Sequence, residues 1–300
     1  MSVLKSRHVL YHDVSLAEYS SWRTGGPAKN LYKPENLEDL KQFLCQLPED
    51  EPLLWLGLGS NTLIRDGGFA GTVIITQGGL NELVQTGPLT VRAGAGVSCA
   101  AMARFCARLG LAGVEFLAGV PGTIGGALRM NAGCFNGQTW EHVIEVERVD
   151  RKGLISVEMP QHFDIAYRHV EPLDKTSQHW FVSGTFQLTP GNKSESLEKI
   201  KTLLERRTKT QPTNEANCGS VFRNPPNDFA ARLIEQAGLK GYRIGGAVVS
   251  EKHANFIIND GTAASKDIET LIAFVQAQVA EISGISLIRE VHIVGDEKSL

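Results

Sequence analysis

The sequence predicts an α+β fold in which strands and helices are segregated along the chain. Two patterns carry this. Between "LTVRAGAG" and "WFVSGTFQL" the apolar residues alternate or run together as short strands, whereas from "TPGNKSESLEKIKTLLERR" onward they recur at helical spacing. Length adds a third observation. A chain of 300 residues outgrows one small core, because single cores stop growing at about 250–300 residues, so two or three compact units are expected. A composition shift at "TPGNKSES" puts the start of a new unit near residue 191. No internal repeat or low-complexity tract competes with this division.

In chain order, "NLEDLKQFLCQL" places Leu37, Leu40, Leu44 and Leu47 on one helical face, with Asn36 as cap and Asp39 at the third position. "PLLWLGLGSNTLIRDGGFAGTVIIT" reads as a buried strand, a Gly-Ser-Asn loop and a second strand through Val73 to Ile75. "LTVRAGAG" repeats the strand-into-glycine pattern, and "VSCAAMARFCARLG" follows as a helix that stops at Gly110. "VIEVERVD", "GLISVEM" and "WFVSGTFQL" are strands. The next helix is expected to be capped by Ser194, with Leu197, Ile200 and Leu204 facing the core. A short helix runs from Asp228 to a Gly238 stop and a long one from Ser265 to Gly284. "LIREVHIVG" closes as a strand over 287–294, on which Ile288, Glu290, His292 and Val294 share a face.

A formal net charge of −3 gives no basic field for nucleic acid, and no apolar run of 18 residues would span a bilayer. The N-terminal "MSVLKSRHVLYHDVS" lacks an apolar core before a small-residue cleavage site, so a cytoplasmic protein is expected. Cys45, Cys99, Cys106, Cys134 and Cys218 form no C-x-x-C pair and read as buried free thiols, and no metal-ligand spacing is present.

Three glycine-rich stretches could cradle a phosphate: "GLGSNT" from Gly57 to Thr62, "GAGVSCA" from Gly94 to Ala100, and "GVPGTIGGALRMNAG" from Gly119 to Gly133. The second follows a strand and opens a helix, and Glu115 lies at a suitable distance, but Cys99 stands where a dinucleotide fingerprint needs its third glycine. The alternative is that the first and third loops act jointly on one diphosphate, held by successive backbone N–H groups without lysine or arginine. Gly125 and Gly126 then allow close approach, and Asn131 offers a donor and an acceptor. Tight structural turns fit the same residues equally well.

The strings "GLGSNTLIRDGGFAGTVI", "AGVEFLAGVPGTIGGALRMNAG", "AYR", "CGSVFRNP", "AGLKGYRIGGAVVSEKHANFIIN" and "REVHIVG", in this order from about Trp22 to Gly295, resemble the UDP-N-acetylenolpyruvoylglucosamine reductase family, in its shorter subclass. The resemblance implies an FAD-binding region in two parts, of the vanillyl-alcohol-oxidase or PCMH-like type (1–78 and 79–190), and a C-terminal α+β domain for a UDP-sugar (191–300). It also implies non-covalent FAD, NADPH as electron donor, an enolpyruvyl nucleotide sugar as substrate, and a monomer. FAD would rest on Gly57, Leu58, Gly59, Ser60, Asn61 and Thr62 from the first loop. From the third it would use Gly119, Pro121, Gly122, Thr123, Gly125, Gly126, Asn131, Ala132 and Gly133.

Reduction of an enolpyruvyl ether builds charge beside a carboxylate, so the chemistry needs one cation and one acid. By the resemblance Arg168 in "AYR" is the cation, Ser220 in "CGSVFRNP" the proton donor, and Glu290 in "REVHIVG" a hydrogen-bonding acid. The family pattern places a hydroxyl residue two positions after the arginine, where this chain has Val170. Tyr167, Arg206, Lys209, Asn224 and His253 match substrate-contacting positions. On Glu290, flanking Ile288 and Val294 predict part-burial and a raised pKa. Two other functions fit parts of the pattern: an oxidase on the same flavin fold, tethering its cofactor through Cys134 or His142, and a non-catalytic nucleotide-sugar sensor.

Overall fold

A computed structural model describes residues 9–175 and 178–298. In chain order its elements are β1 (Leu10–Ser15), β2 (Pro27–Tyr32), α1 (Leu37–Leu44), β3 (Leu53–Leu56), β4 (Thr62–Ile64), β5 (Phe69–Ile75), β6 (Leu83–Gly87), β7 (Thr90–Gly94), α2 (Cys99–Arg108) and β8 (Leu111–Ala112). Then come α3 (Ile124–Met130), β9 (Gly133–Cys134), β10 (Gly137–Gln138), β11 (Val143–Asp150), β12 (Ile155–Glu158), β13 (Phe163–Ala166), β14 (His169–Pro172), β15 (His179–Gln187), β16 (Thr189–Pro190) and α4 (Lys193–Thr210). The last elements are α5 (Ala230–Gln236), β17 (Arg243–Ile244), β18 (Ala247–Val249), β19 (Ile257–Asn259), α6 (Ser265–Ser283) and β20 (His292–Val294). The α+β class read from the sequence is borne out.

The chain forms two compact units, each assembled from separated segments. One comprises residues up to His12, Asn30–Gly57 and Gly71–Glu205, and the other comprises Asp13–Lys29, Leu58–Ala70 and Arg206 onward.

In the first unit β3 runs parallel to β5, with Leu54 opposite Val73. Beneath this pair α1 buries Leu40, Phe43 and Leu44. Asn36 caps the helix by accepting from the Asp39 N–H at 3.0 Å, as the sequence indicates. A five-stranded antiparallel sheet of order β12–β11–β15–β7–β6 supports a separate cluster with α2, α3 and Ile200 of α4. Arg92 ties its strands together by pairing with Glu82 and Glu147. Ser194 is not the cap of α4: Asn192 Oδ1 accepts from the Ser194 and Glu195 N–H groups at 2.8 and 3.2 Å. The helix starts earlier because asparagine, placed before the first turn, satisfies two orphan donors at once. Leu197, Ile200 and Leu204 do face the core.

In the second unit α5 and α6 pack on the β17–β18–β19 sheet around Leu233, Leu271 and Val275, and Trp22 is wholly buried in the same cluster. Trp22 donates its Nε1–H to the Ile257 carbonyl at 2.7 Å and accepts at its own carbonyl from Asn259 at 2.7 Å. α6 ends at Gly284 with φ 70°, the stop read from the sequence. The helix expected from Asp228 starts at Ala230, because Asp228 accepts from the Phe229 N–H. The closing strand is also shorter than expected, covering only His292–Val294, paired in parallel with β4. Glu290 lies before it, and Ile288 is exposed.

Candidate active site

In the first unit the run from Gly119 to Gly133 folds over the segment that follows β7. Cys99 N–H bonds to the Gly122 carbonyl at 3.0 Å, Ile124 N–H to Val97 at 2.8 Å and Gly125 N–H to Ala95 at 3.0 Å. "GAGVSCA" is therefore a support for this run. A dinucleotide fold there is overturned, since β7 is flanked on both sides by antiparallel strands and parallel βαβ geometry is absent. Glu115, its candidate acidic partner, is buried instead against Ser196 Oγ (3.0 Å), Lys199 Nζ (3.2 Å) and the Gly113 N–H (3.1 Å). Burial pushes its carboxyl up, and these hydrogen bonds outweigh that and hold it below the usual range.

The run's five glycines divide by what surrounds them. A Cβ on Gly119 would lie 2.8 Å from Phe135, on Gly125 2.9 Å from the Ala95 Cβ, and on Gly133 2.2 Å from the Gly137 carbonyl, so these three are required by packing. Gly122 takes φ 140°, which L side chains rarely adopt. Gly126 is different: nothing lies within 4 Å of its Cβ position. Among the described residues, the N–H groups of Gly122, Thr123 and Gly126 receive no protein acceptor. Gly57, which ends the first-unit segment after β3, approaches so closely that its Cβ would meet Thr123 Oγ1 at 2.3 Å. This run thus offers open, uncharged amide backbone, which fits a diphosphate such as that of FAD.

Asn131 closes α3 in the left-handed conformation, φ 41°. Its side chain is spent within the protein: Nδ2 donates to Gln138 at 2.9 Å and the Ala166 carbonyl at 3.1 Å, and Oδ1 accepts from the Trp140 N–H at 3.1 Å. The Ala132 carbonyl accepts from Thr139 Oγ1 at 2.6 Å. The same turn holds Arg168, whose Nη1 and Nη2 donate to the carbonyls of Asn131 (3.3 Å) and Gly133 (2.6 Å). Arg168 sits with exposed Tyr167 at the two-residue turn between β13 and β14, φ 55°, its guanidinium 4.9 Å from the Tyr167 ring centre. Val170, at the position of the family's hydroxyl residue, is buried, and its carbonyl accepts from Arg129 at 2.6 Å.

In the second unit the loop Leu58–Thr62 wraps a close backbone contact. Gly59, φ 57°, would place a Cβ 1.9 Å from the Tyr19 carbonyl, and the Leu58 carbonyl accepts from Ser21 Oγ at 3.4 Å. Asn61 faces Glu290: its Nδ2 donates to the Glu290 carbonyl at 3.1 Å, and its own carbonyl accepts from His292 N–H at 3.0 Å. Ser220 follows Gly219, which takes φ 74° with open space at its Cβ position. The neighbouring Cys218 thiol donates to the Gly59 carbonyl at 3.3 Å, and burial pushes it up to about 12. Glu290 is half-buried, and its N–H bonds to the Val221 carbonyl at 2.8 Å, so the Ser220 and Glu290 segments lie side by side. It is not flanked by apolar strand neighbours as expected, because the strand forms only beyond it.

Apart from Tyr167 in the first unit, the expected substrate residues are spread over the second unit's surface and loops. Arg206 and Lys209 are exposed near the end of α4. Asn224 uses its Oδ1 to cap α5 through the Ala230 N–H at 3.1 Å. His253 packs edge-on to Phe256 at 4.8 Å, its Nδ1 is buried without a partner among the described residues, and burial lowers its pKa. Of the cysteines, Cys99, Cys106 and Cys218 are buried as expected, whereas Cys45 is exposed and Cys134 half-buried with its thiol on the Phe116 carbonyl. Cys45 stays outside because it follows the last turn of α1, where its thiol reaches the Lys152 carbonyl at 2.9 Å.

Residues 28–157 match an FAD binding domain model, and residues 211–294 match the model of the UDP-N-acetylenolpyruvoylglucosamine reductase C-terminal domain. A UDP-N-acetylenolpyruvoylglucosamine reductase of Legionella pneumophila is 62% identical over 295 residues, covering 98% of this chain and 95% of that protein. The chain belongs to the UDP-N-acetylenolpyruvoylglucosamine reductase family. A relative of the same name from Alkalilimnicola ehrlichii is 55% identical, over 97% of this chain and 96% of its own. The crystal structure of the Thermus caldophilus reductase superposes with a TM-score of 0.81 at 32% identity, over 96% of this chain and 99% of that one. Within the family's matched segments lie both glycine loops, Ser220, Asn224, His253 and Glu290. Arg168, Tyr167, Arg206 and Lys209 fall outside them. The oxidase and sensor readings give way to membership of a reductase family.

Proposed function

We propose that this chain is an FAD-dependent oxidoreductase that reduces UDP-N-acetylglucosamine enolpyruvate to UDP-N-acetylmuramate in peptidoglycan precursor synthesis, with NADPH as electron donor. Family membership over nearly the whole chain supports it. The observation that carries the catalytic assignment is the 2.8 Å bond from Glu290 N–H to the Val221 carbonyl, which sets the Ser220 loop beside the Glu290 segment.

Bound FAD supplies the two-electron chemistry, from NADPH to the terminal carbon of the enolpyruvyl group. The amides of Gly122, Thr123 and Gly126, with the main chain of Gly57, would hold its diphosphate, and the loop Leu58–Thr62 would offer further main chain to the cofactor. Arg168 binds the substrate carboxylate, and carbonyls on its guanidinium orient the fork that meets it. As charge spreads into that carboxylate, the Glu290 carboxyl donates a hydrogen bond to it. Ser220 Oγ–H then protonates the adjacent carbon; a hydroxyl is matched to so basic a carbanion, and solvent returns its proton. Tyr167, Arg206, Lys209, Asn224 and His253 line the approach of the nucleotide sugar. No described helix is long and apolar enough to cross a membrane.

The test is stopped-flow separation of the two half-reactions. Ser220→Ala should leave flavin reduction by NADPH nearly unchanged and slow reoxidation by the enolpyruvyl substrate by about 10²–10⁴, the usual worth of a general acid. Equal slowing of both half-reactions overturns the assignment.

A further inference from the structure

Asn255 is buried, 3% exposed, in the turn before β19. Its side chain makes a pair of hydrogen bonds to the main chain of one residue: Oδ1 accepts from the Phe222 N–H at 3.0 Å and Nδ2 donates to the Phe222 carbonyl at 2.8 Å. Its main-chain carbonyl accepts from the Val221 N–H at 2.9 Å. One residue therefore satisfies three of the four main-chain polar groups of Val221 and Phe222, immediately after Ser220.

The other edge of the same segment faces Glu290. The Val221 carbonyl accepts from Glu290 N–H at 2.8 Å, Arg223 N–H donates to the Ile288 carbonyl at 2.8 Å, and Phe222 bridges to Arg289. Val221 and Phe222 are themselves buried to 1%. Residues 221–223 thus form a short rung with Asn255 on one side and 288–290 on the other. The Asn255 side of this rung has no strand register to fix it.

We propose that Asn255 is a positioning residue that sets Ser220 and Glu290 in one register for the protonation step. The proposal rests on the reading of Ser220 as proton donor. Asn255 acts through the Val221–Phe222 peptide. Releasing that peptide lets the hydroxyl and the carboxyl shift relative to each other, and a displacement of about 1 Å suffices for a 10²-fold loss of rate.

The test uses the FAD-loaded protein and its two half-reactions in Asn255→Ala and Asn255→Asp, the second keeping side-chain volume. Either variant that retains flavin and a cooperative melt should reduce with NADPH within about twofold of the parent, while reoxidation by UDP-N-acetylglucosamine enolpyruvate falls about 10- to 100-fold. In a Ser220→Ala background the same substitution should slow reoxidation much less than in the parent, because only Glu290 is left to position; a general loss of stability would add in full. Parental reoxidation in a folded variant, or equal slowing of both half-reactions, overturns the proposal. If Ser220→Ala alone leaves reoxidation unchanged, the proton-donor reading fails instead. If neither variant folds, Asn255 is refuted as primarily a positioning residue and is a structural one.

Discussion

Gly125 and Gly126 are adjacent in α3 and offer a sharp contrast. At Gly125 an added methyl would sit 2.9 Å from the Ala95 Cβ and 3.2 Å from its carbonyl oxygen, against a carbon–carbon optimum of about 3.5–4.0 Å. The 3.0 Å bond from Gly125 N–H to that carbonyl prevents retreat. Overpacking costs about 1–3 kcal/mol, more than the ~0.5–1 kcal/mol that replacing a helical glycine returns, so Gly125→Ala should destabilise the deflavinated protein. At Gly126 nothing opposes the methyl, and Gly126→Ala should raise the melting temperature by about 1–4 °C. Its cost should appear in cofactor binding. A hydrogen bond to a charged group is worth about 1.5–3 kcal/mol, so a Gly126→Leu side chain that holds the diphosphate off one amide should weaken FAD at least about tenfold. Fluorescence-quenching titration and thermal melts measure both. Parental FAD affinity in Gly126→Leu refutes the close approach, and a Gly125→Ala protein that melts at or above the parent refutes the packing argument.

Other perturbations separate the remaining roles. Glu290→Gln keeps an N–H donor and should slow reoxidation by substrate less than Glu290→Ala, with little change in substrate affinity; equal damage would instead require an ionisable proton at that position. Arg168→Lys replaces a fork that two carbonyls orient by a point charge, and should raise KM for the enolpyruvyl substrate more than it lowers the rate of flavin reduction. Glu115 is held below the usual carboxylate range, so its contribution to stability is present at neutral pH and lost as pH falls through its lowered folded value. Denaturant melts of Glu115→Gln should therefore differ from the parent at pH 7 and converge in acid.

Much of this fold is legible in the sequence where local chemistry decides it. The Asn36 cap, the Gly110, Gly238 and Gly284 stops, and the helical face of Leu197, Ile200 and Leu204 follow from capping and periodicity alone. The misreadings arise where distant segments decide. At β7 the sequence argues against a parallel βαβ unit only through Cys99 in place of a third glycine, and the antiparallel partners β6 and β15 exclude one. The closing strand is cut short because its partner β4 is three residues long, leaving Glu290 on irregular backbone fixed by Val221 and Asn61. At the site, glycine density signals a ligand loop without distinguishing Gly126, open to an approach, from Gly125, closed by Ala95.

A second class of residue escapes a sequence reading for a related reason. Arg168, Ser220 and Glu290 are named by the family resemblance, but their placement rests on main-chain groups in which asparagines take part. The Asn131 carbonyl receives Arg168, Asn61 Nδ2 binds the Glu290 carbonyl, and the Asn255 amide pairs with Phe222 beside Ser220. An asparagine side chain carries the donor and acceptor of a peptide unit and can complete an irregular segment where no strand runs alongside. Its signal in the sequence is a polar residue in a short apolar context, as in "KHANFIIN", which a ligand contact produces equally well. The distinction lies in where the amide points: Asn131, expected as a cofactor ligand, uses both ends of its amide on Gln138, Ala166 and Trp140. What it offers toward the arginine is its backbone carbonyl, a group every residue has, so no side-chain pattern could have marked it.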